Sequence, residues 1–476
     1  MSFKAKKIAN KWVDGNESRL TKMSDAIWQY AELGYVEFKS AKLLAYELES
    51  HGFKVEREVA GIPTAFVGTW GKGKPVIGVM GEYDALPGLS QKVSSIKEPL
   101  EVGEPGHGCG HNIHGTSGLG GAISLRYAME ETGLKGTVKF FGCPAEEMLS
   151  GKVWMVREGV FDGVDAIISH HPSSMNNAGL SSTNANNAVK FHYRGKTSHA
   201  AGSPEQGRSA LDAVELMNIG VNFLREHVIQ DARIHYVIEE GGGQPNVVPD
   251  YARSWYLIRA PERDQLEPIY DRILKIAEGA ALMTETELEV EFIKGIYNKV
   301  PSLTLSKVVT ANMREIGAPT YTAEEMAFAE KVSESISEAS KRTTLWKTKR
   351  PGWEDLMTVL MDGSVPDAWN DGEVSHGSTD VSDVSWMTPT MEFSTATYIL
   401  GTPGHSWQNV AFSGMSIGHK SLFYASKIIA STAIDLLTKP ELIKEAWEEL
   451  DKRKAGRVYR SPIPADLGPP LDQWKK

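Results

Sequence analysis

Cysteine is almost missing from this chain. Two in 476 residues cannot build a disulfide framework, and a zinc ribbon, which needs four ligands in paired motifs, is excluded with it. A reducing cytoplasm is the compartment this usage fits. No apolar run approaches the roughly 18 residues a membrane helix requires. Residues 1–16 carry four lysines and no apolar stretch, so a secretion signal is not expected there. Positive charge is not in excess either: the net charge is −10, against the basic footprint that nucleic acid or an anionic membrane calls for. The dinucleotide loop is absent as well. Gly118-Leu119-Gly120-Gly121 lacks the G-x-G-x-x-G spacing and has no strand directly before it, so these glycines are read as permitting close helix packing. What the chain has is length for two to three domains and 41% hydrophobic residues, ample for sizeable cores.

Chemistry-bearing residues collect where apolar runs end. One cysteine heads Gly106-His107-Gly108-Cys109-Gly110-His111-Asn112-Ile113-His114. The run Val138 to Cys143 reads as a buried strand and closes on Pro144-Ala145-Glu146-Glu147. A second run, Val164 to Ser169, closes on His170-His171-Pro172. His405 follows the strand-like Tyr398-Ile399-Leu400, and Val76 to Met80 leads into Gly81-Glu82-Tyr83-Asp84-Ala85-Leu86-Pro87. A lone Cys-Gly-His or Glu-Glu pair is usually incidental. Loops beyond the carboxyl ends of strands in an open α/β sheet share one crevice, however. Sulfur, nitrogen and oxygen donors placed at successive strand ends therefore point to a metal site.

The segment from Ala188 to Phe292 has a pattern of its own. Val189, Phe191 and Tyr193 alternate with polar residues, and Arg208 to Glu226 has helical spacing. Ile234 to Ile238 and Ala252 to Ala260 read as strands, Glu262 to Ala281 as a helix, and Leu288, Val290 and Phe292 alternate again. The order βαββαβ is that of a ferredoxin-like module. The expected organisation is an α/β catalytic domain in two parts, residues 1–187 and 296–476, interrupted by an inserted domain over 188–295. Thr322 to Asp371 lacks firm periodicity and reads as a solvated extension, Ser375 to Asp383 as a polar loop, and the Pro-rich tail beyond Arg460 as surface chain.

The ordered set Asp84-Ala85-Leu86-Pro87, Cys109-Gly110-His111, Pro144-Ala145-Glu146-Glu147, His171, Ser198-His199-Ala200-Ala201, Asn246-Val247-Val248-Pro249 and His405 resembles the M20 metallopeptidase/amidohydrolase family in its aminoacylase-like branch. That match spans nearly the whole chain, and within the branch the longer stretch before Cys109, the extension after Thr322, Gly207-Arg208-Ser209-Ala210-Leu211-Asp212-Ala213 and Thr379-Asp380-Val381-Ser382-Asp383-Val384-Ser385-Trp386 look like the p-aminobenzoyl-glutamate hydrolase B-subunit group. The resemblance implies a zinc-peptidase-like catalytic domain with the insert as lid and dimerisation domain. It implies two divalent ions, Zn or Mn, held by Cys109, His111, Glu147, His171 and His405, with Glu146 as general base. His199 would reach the partner subunit's site to stabilise the oxyanion, and Asn246, Arg253 and Arg259 would bind substrate. The implied reaction is hydrolysis of an N-acyl or N-aroyl amino acid, aroyl-glutamate first, by a homodimer or a pair with a related subunit. A dipeptidase or aminopeptidase of the same fold and a non-catalytic partner subunit are the alternatives. Two positions depart from the pattern. Asn112 stands where the branch commonly has Asp, which would replace a carboxylate behind a ligand by an amide, and His170 beside His171 leaves the ligand open by one residue; His171, before Pro172, is taken. His107, His114 and His376 are read as supporting residues.

Overall fold

The computed structural model describes residues 2–148, 150–375 and 377–474; His376 lies outside them. In chain order the strands are β1 (Lys54–Arg57), β2 (Phe66–Lys72), β3 (Val76–Glu82), β4 (Gly136–Cys143), β5 (Ala166–Ser173), β6 (Ser182–Thr183), β7 (Ala185–Arg194), β8 (Arg233–Glu240), β9 (Tyr251–Ala260), β10 (Glu287–Ile296), β11 (Val374–Ser375) and β12 (Thr390–Ala396). The larger sheet runs β1-β2-β4-β3-β5-β12. Its last four strands are parallel, while β1 and β2 pair antiparallel at one edge. Buried on both faces, the parallel strands are nearly continuous apolar runs, which is why β3, β4 and β5 are visible in the sequence. Their carboxyl ends lie along one edge.

Helices clothe this sheet. His111–Thr132 packs against β3 and against Ser416–Thr438, with Ser2–Gly15 laid over both helices. The glycines of His111–Thr132 act as spacers. A Cβ on Gly121 would approach Ile429 to 2.6 Å, and one on Gly118 would approach the Met80 carbonyl to 2.7 Å, so only hydrogen at these positions allows the helix so close to its neighbours.

Between β5 and β12 the chain leaves for a second sheet, β10-β7-β9-β8, antiparallel throughout. With helices Ala210–Leu224 and Arg263–Thr284 the order is strand, helix, two strands, helix, strand. Along β9 burial alternates strictly: Ala252, Ser254, Tyr256, Ile258 and Ala260 face the helices, and Arg253, Trp255, Leu257 and Arg259 face away. Phe191, Tyr193, Tyr256, Leu266 and Ile273 fill the sandwiched side, each worth about 1.5–3 kcal/mol of burial. The smaller sheet is thus a one-faced sheet whose other side carries arginines and glutamates.

Three readings from sequence need correction. The segment 322–371 is folded rather than solvated: helices Ala323–Ser333 and Glu338–Lys347 bury Ala329, Val332 and Leu345. Its short helices, one opened by a Thr322–Glu325 capping box, give too few turns for periodicity to register. The supposed polar loop 375–383 buries Asp380 and opens the helix Val381–Met387. The last strand of the sheet is Thr390–Ala396, and residues 398–400 form the turn after it. Apolarity there reflects burial in a turn.

Candidate metal centre and active site

Every proposed metal ligand sits at the carboxyl edge of the parallel strands. Cys109 and His111 precede or open the helix that follows β3. Gly110 makes the corner with φ +78°, and a Cβ there would strike the Tyr398 hydroxyl and the Pro172 ring. From β5, alternation sends adjacent histidines to opposite sides. His170 turns inward, between the Ser117 hydroxyl at 2.9 Å and the Thr395 hydroxyl at 2.7 Å, whereas His171 places Nε2 3.3 Å from Cys109 Sγ. Glu147 follows β4, and its Oε2 lies 3.5 Å from Nε2 of His405. Ala145 and His405 both take left-handed backbone conformations, φ +58° and +50°. Non-glycine residues adopt these at a cost of order 1–3 kcal/mol, and such strain clusters at functional sites.

Ligand atoms of Cys109, His111 and His171 lie within 4.8 Å of one another, and so do those of Cys109, Glu147 and His405. Cys109 belongs to both groups. Glu82, His111 and Glu146 form a third such group. Buried acceptors without hydrogen-bond partners include Glu147 Oε1, His111 Nε2 and both carboxylate oxygens of Glu82. Lys152 Nζ does approach Glu82 Oε1 to 2.6 Å, as an ion pair outside hydrogen-bond direction. Unpaired buried acceptors are costly, and sulfur, nitrogen and oxygen donors at this spacing fit a divalent cation.

The surroundings orient these groups. Asp84, fully buried, accepts from His111 Nδ1 at 2.8 Å through one oxygen and from the Glu147 N–H at 2.8 Å through the other. His111 therefore turns Nε2 toward the donor cluster. The carboxylate behind His111 is Asp84, not residue 112. Asn112 points away from the site, donating its amide to Ser24 Oγ at 3.0 Å and to the Ser413 carbonyl at 2.9 Å, so the expected weakening of His111 by Asn112 has no geometric basis. His107 hydrogen-bonds the Ile27 carbonyl, and burial pushes it down to about 4, leaving it a neutral packing residue. His114 accepts the Glu82 N–H at Nδ1, 2.9 Å, so its proton is on Nε2.

Electrostatics separate the two neighbouring glutamates. Glu146 is buried, and burial together with the charges of Glu82, Asp380 and Glu147 raises its carboxyl well above the ordinary range. Glu147 is raised to about 7 by burial, against the pull of His111. A buried carboxyl of raised pKa beside a metal-ligand cluster is what proton transfer at neutral pH needs.

Residues of the smaller sheet divide. His199 is exposed and accepts from the N–H groups of Ala201 and Gly202 at Nδ1. The neutral ring then carries its proton on Nε2, facing outward. Asn246 is exposed next to it, its carbonyl accepting from Ala200 N–H. Arg253 is committed to Glu239 at 2.9 Å, and stands six residues along β9 from Arg259, about 20 Å away. Arg259 reaches Ser378 Oγ at 3.4 Å. Lys294 carries no signal in the sequence. Its ammonium donates to the Met148 carbonyl at 2.9 Å, directly after the Glu146-Glu147 turn. Burial and the Arg259 charge push it down to about 8. Glu82, Lys152 and Asp380 also escape sequence reasoning, and only the run of small apolar residues around Glu82 signals a charged group carried inside.

Comparisons with known proteins agree with this geometry. The model of peptidase family M20/M25/M40 matches residues 78–398. The chain is 42% identical over 468 residues to the B-subunit of p-aminobenzoyl-glutamate hydrolase from Escherichia coli (strain K12), covering 96% of this chain and 97% of that one. It is 29% identical over 460 residues to the Xaa-Arg dipeptidase of Mus musculus, covering 93% and 91%. Among solved structures, the fold is similar to that of the Bacillus subtilis YXEP protein, described as a dinuclear metal-binding peptidase of the M20 family, with a TM-score of 0.58 at 19% identity over 89% of this chain and 99% of that one. Fold, donor cluster and likeness lead to one conclusion: the chain belongs to peptidase family M20/M25/M40.

Proposed function

We propose that this chain is a metal-dependent amidohydrolase that cleaves an N-acyl or N-aroyl amino acid, with p-aminobenzoyl-glutamate as the first substrate to try. The observation that carries the reading is Cys109 shared between two donor groups, with His111 and His171 on one side and Glu147 and His405 on the other. Two divalent ions, Zn or Mn, would supply Lewis acidity at the amide carbonyl and lower a water's pKa toward about 7. Glu146 takes the proton of the attacking water and returns it to the amine as the C–N bond breaks, a role worth about 10²–10⁴ in rate. The outward Nε2–H of His199 is a donor suited to a developing oxyanion. Its exposure in the single chain fits a role across a subunit interface, in a homodimer or with a related subunit, and gives the inserted segment 188–295 the part of lid and dimerisation unit. Asn246 beside it would contribute to substrate binding. Arg259, whose guanidinium suits a two-pronged contact, would hold the substrate carboxylate, while Arg253 pairs with Glu239. A reducing compartment, the cytoplasm, would keep Cys109 able to bind metal.

Arg259 and Lys294 also choose between substrates. Two cations beside the Glu146 turn attract the carboxylates of a glutamate product half and repel the side chain of an Xaa-Arg dipeptide. Purified chain, stripped of metal and reloaded with Zn²⁺ or Mn²⁺, should hydrolyse p-aminobenzoyl-glutamate and related N-acyl glutamates in preference to Xaa-Arg dipeptides, and chelation should abolish the activity. Full activity without bound metal, or a preference for Xaa-Arg, would overturn the reading.

A further inference from the structure

We infer that Glu82 is an additional metal-binding residue of this centre, a donor held in place from behind by Lys152 and Asp380. The inference rests on the metal-dependent reading above and adds a donor to its ligand set. Glu82 is the last residue of β3 and only 1% exposed. Its two oxygens have different surroundings. Oε1 meets the ammonium of Lys152 at 2.6 Å, and that ammonium is completed by Asp380 Oδ1 at 2.7 Å, while Asp380 Oδ2 accepts the backbone N–H of Lys152 at 2.8 Å. Oε2 faces the other way. Around it are two imidazole nitrogens, His111 Nε2 at 3.3 Å and His114 Nε2 at 3.4 Å, neither a hydrogen-bond partner.

His114 is accounted for. Its Nδ1 accepts the Glu82 N–H, so its Nε2–H is a donor, and the partner it reaches is Ser169 Oγ at 3.2 Å. His111 is the reverse case. Asp84 takes its Nδ1–H, so once the ring is deprotonated, the form in which imidazole binds metal, its Nε2 lone pair faces a carboxylate oxygen. Two buried acceptors 3.3 Å apart repel unless a proton or a metal cation lies between them. Two donors on one ion, each at about 2.0–2.2 Å in near-tetrahedral geometry, stand roughly 3.0–3.5 Å apart. The separation of His111 Nε2 from Glu82 Oε2 falls in that range, as does that of Cys109 Sγ from His171 Nε2.

Charge points the same way. Glu82 and Asp380 share the buried ammonium of Lys152, and Asp84, Glu146 and Glu147 lie around the same donors. Lys152 is the one ammonium between Glu82 and Asp380, and even with Lys294 and Arg259 beside the Glu146 turn the carboxyl groups outnumber the fixed cations, a balance that a bound ion, the largest local charge in such a site, would redress. Lys152 engages one oxygen of Glu82 and leaves the other facing the two imidazoles.

The test reads metal binding directly. Wild-type chain, Glu82→Gln, Glu82→Asp and Cys109→Ser are stripped with chelator, checked for fold by circular dichroism and thermal midpoint, and titrated with Mn²⁺ and Zn²⁺ against a chromophoric chelator, with elemental analysis after gel filtration. Wild type should bind two ions. Glu82→Gln keeps size and polarity but loses the anionic donor, and should bind one of the two at least about tenfold more weakly. Glu82→Asp keeps the charge near Lys152 while drawing Oε2 back by one methylene, and should show a smaller loss in the same ion. Should Glu82→Gln fail to fold, Glu82→Asp decides. A folded variant binding both ions with wild-type affinity, while Cys109→Ser loses metal, overturns the assignment of Glu82 alone. Wild type that binds no ion overturns the metal-dependent reading beneath it.

Discussion

The carboxyl edge of the larger sheet and the exposed loops beside the smaller sheet make opposite kinds of site. At the sheet edge, donors and the Glu146 carboxyl are for the most part buried or half-buried, and they are set in position by Asp84, Gly110 and the left-handed turn at Ala145. Beside the smaller sheet His199 and Asn246 are exposed, and they bond to nearby backbone. One half is assembled within a single chain. The other presents its groups outward, in the manner of residues that await a partner or a substrate. A site of this kind can bind its ions as a monomer and still need assembly for turnover, which separates metal affinity from rate as experimental readouts.

Mutating the assembled half gives the largest expected effect. Glu146→Gln should lower kcat by about 10²–10⁴ while metal content stays at the wild-type level; loss of metal instead would mean Glu146 and Glu147 have exchanged roles. On the exposed half, His199→Ala should lower kcat by about 10²–10³ with metal content unchanged. Mixing it with Glu146→Gln chain should recover part of the activity, since one site of a mixed dimer then has an intact base and an intact partner histidine. No recovery in demonstrated mixed dimers would place the action of His199 within its own chain. Arg259→Met should raise KM for glutamate substrates about tenfold, near 1.4 kcal/mol, and leave uncharged acyl amides unaffected. An equal loss on both would assign Arg259 to the fold.

The smallest effect is on stability. Asp383 lies away from the donor cluster, bound to Tyr297 N–H and the Tyr459 hydroxyl, and burial raises its carboxyl from 3.8 to about 7. The folded chain retains this proton where the unfolded chain has released it, so the group's contribution to stability falls as pH rises from about 4 to about 7 and is level beyond. Unfolding titrations of wild type and Asp383→Asn should show their stability difference declining across that window. A difference independent of pH would mean Asp383 is ionised in the fold.

Contiguity explains what is legible in the sequence. Cys109-Gly110-His111 and Glu146-Glu147 are short, local motifs, and β7 and β10 alternate cleanly in sequence, so the candidate donors and the βαββαβ order can be read in advance. Asp84 stands in a recognisable motif, yet its hold on His111 Nδ1 and on the Glu147 N–H is a tertiary fact. Lys152, Asp380 and Lys294 are illegible for a stronger reason. Each is a charged residue in a polar or mixed stretch, where exposure is the ordinary expectation, and burial arises only when distant segments supply opposite charges or carbonyls. Asn112 misleads because adjacency to a ligand is not contact with it: one step along a helix turns a side chain by about 100°.

The segment from His107 to Asn112 is clasped by a stretch that comes about three hundred residues later. The Tyr398 hydroxyl donates to the Cys109 carbonyl, Asn409 to that of Gly108, Ser413 to that of His107, and Asn112 donates back to the Ser413 carbonyl. A ribosome makes the chain from residue 1 onward, so Cys109, His111, Glu147 and His171 emerge long before the groups that brace the loop and before His405. Until those later residues are made, the loop that carries Cys109 and His111 lacks these four hydrogen bonds. The candidate donors and the contacts that brace their loop are therefore complete only once residues 398–413 have joined the fold.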